Sequence, residues 1–165
     1  TEQCSNWLLT NERYKILFWE TLSTKWQVFQ IESVLTCNTE CVIYIIDCLK
    51  CCLSYVGYTT GNMKIRFSND KTHIKSNSRT CTIVNHYLDY DHDLIFHPNN
   101  LYDKSFSTNV RVTLIEKVVV DENDSQEEKE RKYELREKYW QSQLKTFERY
   151  GGLNKRHSKK YDKTT

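Results

Sequence analysis

One proline and four glycines in 165 residues leave little material for a long flexible linker. No apolar run approaches the roughly 20 residues that a bilayer-crossing helix needs, which excludes a span of that kind, and no stretch reads as a secretory leader. An excess of one charge is lacking too: 24 basic residues face 22 acidic ones, and a net +2 does not by itself mark a nucleic-acid binder. There is no internal repeat. Thr1 is not an initiator methionine, so the chain reads as a piece of something longer, with room for one domain and an appendage.

What is present is unevenly spread. Acidic residues crowd DENDSQEEKE (121–130), and basic ones crowd NKRHSKKYDK (154–163). That asymmetry suits a polyanion near the C-terminus, and it equally suits a solvated helix start followed by a frayed tail. Seven cysteines are many for this length, but the number is odd, and Cys48, Cys51 and Cys52 lie too close together for a secreted disulfide framework. Metal binding in a reducing compartment fits them better.

Along the chain, residues 1–25 read as a lead-in, helical or irregular. WQVFQIESVLTC (26–37), with Val28, Ile31 and Val34 among polar neighbours, reads as a strand or hairpin arm. CVIYIIDC (41–48) reads as a buried strand, and LSYVGYT (53–59) as its antiparallel partner across a tight turn. Thr59 or Thr60 can cap a helix over 61–76, and a second short helix is expected over 81–92. A loop over 97–109, a strand over 110–120 and a long helix over 125–151, stopped by the glycine pair, complete the chain. The class is α+β: a small, mainly antiparallel sheet with helices packed on it.

Two patterns point to chemistry. Cys48 and Cys51 form a C-x2-C knuckle in the turn, and His86 and His92 an H-x5-H pair on or after the second helix. Two thiolates and two imidazoles make a closed tetrahedral shell for structural zinc, tying the turn to that helix. The alternative is unligated cysteines and two surface histidines. Cys37, Cys41, Cys52 and Cys81 read by default as buried free thiols, with a second metal site as the alternative. On the last helix, Tyr133, Trp140, Leu144 and Phe147 form an apolar stripe that includes Glu137, whereas Glu134, Lys138, Gln141 and Lys145 fall on the polar face. A carboxylate turned inward needs a cation or donors, and either magnesium or a partner arginine would serve.

VIY (42–44), YVG (55–57), Arg66 on a helix, the Glu-x-x-Trp of the last helix and GLN (152–154), taken in order, resemble the GIY-YIG endonucleases. The knuckle between the tyrosine motifs and the later histidines, with CNTECVIYIIDC and YWQSQLKTFERYGGLN, resembles the nuclease domain joined to the reverse transcriptase of Penelope-like retroelements. The resemblance covers about residues 26–155, leaving 1–25 as the link from an upstream polymerase and 156–165 as a basic tail. It implies a nuclear, Mg2+- or Mn2+-dependent DNA endonuclease with structural Zn2+ on Cys48, Cys51, His86 and His92. Tyr44 would be general base or water-positioner, and Tyr55 a second hydroxyl at the phosphate. Arg66 would be the phosphate clamp, Glu137 the magnesium ligand and Asn154 a support, with Gly57 letting phosphate approach the backbone.

One position departs from the family. Where it places a histidine one turn after the arginine, this chain has Asp70, which can hold Arg66, cancel its charge or join the metal. His73 lies a turn's fraction further on and points elsewhere. The first motif also has Val42 for glycine, which leaves the tyrosine in place. The expectations are therefore an endonuclease slowed by Asp70, a zinc-stabilised DNA-binding module without catalysis, and an interaction domain built on the long charged helix.

Overall fold

The computed structural model describes residues 34–89 and 110–155, together with the backbone of 15–19 and 26–30. Strands β1 (Lys15–Trp19) and β2 (Trp26–Gln30) pair antiparallel from Lys15↔Gln30 to Trp19↔Trp26 as a sheet of their own. The lead-in is therefore extended over KILFW, where a helix or irregular chain was expected. Its branched and aromatic residues favour a strand once an antiparallel partner supplies the hydrogen bonds. The hairpin takes one strand from each side of residue 25. Val34, expected in the strand, is 80% exposed and outside it.

The main sheet has the order β4-β3-β5, antiparallel throughout, with β3 (Val42–Cys48), β4 (Ser54–Thr59) and β5 (Val110–Lys117). The central strand β3 is buried without a break from Val42 to Ile46 because both of its faces are covered. Val42, Tyr44, Ile46 and Cys48 meet Ile74 of α1 (Met63–Lys75) and Ile83, Val84 and Tyr87 of α2 (Thr82–Asp89). Ile43 and Ile45 meet Tyr133, Trp140 and Leu144, the last three from α3 (Gln126–Gln143) and its C-cap. Each buried aliphatic side chain contributes roughly 1.5–3 kcal/mol, so both helical layers depend on this one strand. A register shift between Ile43 and Tyr44 bulges β5 and sends Ile115 to the α3 face.

Several boundaries differ from expectation. Neither Thr59 nor Thr60 caps α1. Asn62 does, its Oδ1 accepting the Ile65 N–H at 3.0 Å, while Thr59 is spent in β4. The last helix stops at Gln143, not at the glycines. Lys145 takes a left-handed backbone (φ 50°), and a short 3-10 turn, Glu148–Tyr150, ends at Gly151 with φ 84°. The chain then doubles back tightly. A Cβ on Gly152 would lie 2.0 Å from the Thr146 carbonyl oxygen, so only glycine fits there. This return brings Leu153 to the outer edge of β4, where its N–H donates to Ser54 O at 3.0 Å. It also covers Gln141, which is buried where a polar face was expected, with Thr146 N–H donating to Gln141 O at 3.0 Å. Phe147 falls beyond the helix and is half-buried. Among the described residues, no helix is long and apolar enough to cross a membrane.

Candidate active site and metal centre

Strand alternation puts Tyr44 and Tyr55 on one face of the sheet, with Tyr44 directly opposite Gly57. Their ring centroids lie 6.5 Å apart at 48°. The glycine makes this possible: a Cβ there would sit 2.7 Å from Tyr55 Cε1 and 2.8 Å from Tyr44 Oη. The space above Gly57, expected to admit a phosphate to the backbone, is thus filled by the two phenols. Among the described residues neither hydroxyl has a hydrogen-bond partner, and both residues line an open cavity where water can meet them. Burial, then each other's proximity or that of Glu137, pushes both phenols above their ordinary pKa, and both are protonated at neutral pH.

Arg66 approaches from α1. Its Nη2 is 3.1 Å from Asp70 Oδ1 and 3.5 Å from Cys81 Sγ, while its Nε is buried without an acceptor. Burial works against the guanidinium charge, but Tyr44 and then Asp70 outweigh it and its pKa stands above the ordinary value. Asp70 is wholly buried beside the arginine and is not part of the cavity lining. Its carboxyl is raised by burial, against the opposing pull of Arg66. His73 lies elsewhere, its Nδ1 2.9 Å from Thr80 Oγ1.

From the opposite side of the sheet, α3 supplies Glu137, 6% exposed. Burial first, then Glu134, pushes its carboxyl up to about 7, against Lys138 and Arg66. Tyr44, Tyr55, Arg66 and Glu137 all line one cavity of about 380 Å³. Asn154 is not in the lining but clamps the strand beneath it. Its Oδ1 accepts Val56 N–H at 2.8 Å, and its Nδ2 donates to Val56 O at 2.7 Å, between Tyr55 and Gly57.

The cavity also takes in Tyr58, Thr59 and Thr60, to which the sequence pattern gave no site role, and Cys81, expected as a buried thiol or a ligand of a second metal. Tyr58 donates to Glu130 and stacks on Tyr133 at 5.5 Å and 10°, and Tyr133 donates to Cys41 Sγ at 3.1 Å. Strand period puts Tyr58 on the face away from Tyr55; it reaches the cavity because β4 is an edge strand, so both faces open there. For Cys81 no local signal existed. The lining offers the Glu137 carboxyl and the hydroxyls of Thr59 and Thr60, oxygen donors of the kind a hard cation takes, beside the Arg66 guanidinium and the Cys81 thiol.

At the hairpin turn, ligand atoms of Cys48, Cys51 and His86 lie within 4.8 Å of one another, with Cys51 Sγ 3.2 Å from His86 Nε2. His86 is 4% exposed, which removes the alternative of a surface histidine. The turn treats its two thiols differently: burial pushes Cys51 up to about 11. Burial opposes charge on Cys48, but backbone N–H groups of Cys51 and Lys50 and the Tyr87 hydroxyl lower its pKa overall. Two thiols and an imidazole this close form a site that could hold a metal ion, with a donor set compatible with structural zinc. His92, expected as the fourth ligand, lies outside the described residues, as do residues 90–109 and the tail 156–165. No second such cluster forms among the described residues, and Cys52 is exposed where a buried thiol was expected. Comparison with protein-family models, with curated proteins and with solved structures finds no match for this chain.

Proposed function

We propose that this chain is a metal-dependent DNA endonuclease of the GIY-YIG type, which hydrolyses phosphodiester bonds and nicks target DNA for insertion of a retroelement. On this reading it acts in the nucleus beside an upstream reverse transcriptase domain. The observation that carries it is the convergence on one cavity of two phenols, a guanidinium and an inward-facing carboxylate. Arg66 Nε, buried without an acceptor among the described residues, would be met by an oxyanion, and a phosphodiester supplies its oxygens.

Arg66 and Tyr55 hold the scissile phosphate and offset its growing negative charge. Tyr44, protonated at neutral pH, acts as water-positioner: its oxygen accepts from the attacking water and orients it. Asn154 keeps the Tyr55–Gly57 strand in register beneath the phosphate, and Asp70 holds Arg66 from behind. A magnesium or manganese ion held by Glu137 would supply Lewis acidity at the phosphoryl and leaving oxygens. Structural zinc on Cys48, Cys51 and His86 would brace the turn. The test is plasmid nicking with and without divalent metal: wild type nicks only with magnesium or manganese, and Glu137→Ala abolishes nicking. Equal nicking by that variant would remove the metal role.

The second reading, a zinc-stabilised DNA-binding module without catalysis, is favoured by Asp70, which sets a carboxylate 3.1 Å from the guanidinium meant for phosphate. Asp70→Asn separates the two. A gain in nicking identifies an enzyme damped by its own acid, whereas salt-sensitive DNA binding with no cleavage in any metal identifies the binding module.

A further inference from the structure

The mechanism gives Cys81 no task, yet its sulfur sits where three elements meet. It lines the cavity and lies 3.5 Å from Arg66 Nη2 and 3.8 Å from Asp70 Oδ1. Its backbone carbonyl accepts the Asn85 N–H at 3.0 Å, the first hydrogen bond of α2, which begins at Thr82, so Cys81 stands at the N-cap position of that helix. Serine, threonine, asparagine or aspartate hold that position more often than a thiol. The sulfur is fixed from the other side too, because His86 and Tyr87 anchor α2 in the buried layer under the knuckle.

The consequence falls on the guanidinium. Each terminal nitrogen of arginine carries two hydrogens. Nη2 donates one to Cys81 Sγ, on the next helix, while Asp70, on the same helix, faces it as an ion pair at 3.1 Å. A single ion pair leaves the group free to swivel about that bond. A second acceptor on a different element fixes the plane, and with it the direction of the remaining donors.

We propose that Cys81 is a positioning residue: its sulfur, held at the N-terminus of α2, accepts a hydrogen from Arg66 Nη2 and, with the ion pair to Asp70, sets the guanidinium plane presented to the cavity. That this plane meets a phosphate rests on the nuclease reading; the positioning itself does not. The test uses the full chain with Cys81→Ala, which deletes the acceptor, and Cys81→Ser, which keeps both an acceptor and a helix cap. In 15N spectra of the arginine side chains, Arg66 shows two distinct Nη signals in wild type and in Cys81→Ser, and a single averaged signal in Cys81→Ala. In nicking assays kcat/KM falls about three- to tenfold in Cys81→Ala and returns to within about twofold in Cys81→Ser.

Distinct Nη signals retained in Cys81→Ala would overturn the proposal, as would equal loss in the serine variant. Averaging in Cys81→Ala alone, in a wild-type protein that neither binds nor nicks DNA, would sink the nuclease reading and leave the positioning role standing.

Discussion

At the turn of the β3–β4 hairpin, Cys48, Cys51 and His86 bring their ligand atoms within 4.8 Å of one another. Along the strands of the same hairpin, Tyr44 and Tyr55 join Arg66 and Glu137 around an open cavity. Both regions concentrate polar groups against the same core, but they treat them differently. At the turn, backbone N–H groups solvate a thiol and ready it for a cation, so a bound ion converts the cluster into folding energy. At the cavity, burial raises both phenols and the Glu137 carboxyl above their ordinary pKa, so the surrounding packing favours their neutral forms.

The largest test of that contrast is chelation. Stripping metal from zinc-loaded protein is expected to lower Tm by about 10 °C or more, read by circular dichroism beside a metal analysis. An unchanged Tm would mean that the thiols pack equally well without an ion.

Glu137 should behave in the opposite sense. Its folded pKa is raised from 4.5 to about 7, so the fold prefers the neutral acid. Its contribution is full below about pH 4.5 and is lost as pH rises through 7, amounting to about 3 kcal/mol by pH 8 in metal-free protein. Glu137→Gln abolishes nicking yet makes the metal-free protein more stable at pH 8, with no gain at pH 4. Urea midpoints across pH check this, and parallel profiles for the two proteins would show that folding does not raise this acid.

The smallest effect concerns Gly57. Gly57→Ala drives a methyl into both phenols and should cost about 1–3 kcal/mol while lowering nicking. Gly61→Ala, with nothing within 4 Å of its Cβ, should change stability by less than about 0.5 kcal/mol. Equal urea midpoints for the two variants would mean that the phenols have room to move.

Much of the frame was legible because its signals are local. The unbroken apolar run of β3, the partner strand across a short turn, the helix after Asn62 and the stripe that carries Glu137 inward each follow from neighbours a few residues apart. The capping box of Ser125 and Glu128 likewise starts α3 where its acidic run begins. What escaped was set by distant chain. The strand at Lys15–Trp19 exists through its pairing with Trp26–Gln30. The early end of α3 follows from the need to return Asn154 to β4, and the burial of Gln141 follows from that return. The complete burial of Asp70 against Arg66 and Cys81 has no counterpart in the i, i+4 spacing, which fits a surface pair equally well.

The sequence by itself determined the α+β class, the central hairpin, the inward acid and the knuckle, since period and turn chemistry act over a few bonds. Only the tertiary structure decided that Asn154 would clamp Val56 across 98 residues, that His86 would meet Cys51 across 35, and that phenols from β3 and β4 would share a cavity with an acid from α3. Those meetings depend on how two helical layers close over one buried strand, and burial energy of that kind belongs to the assembled core and to no single segment of it.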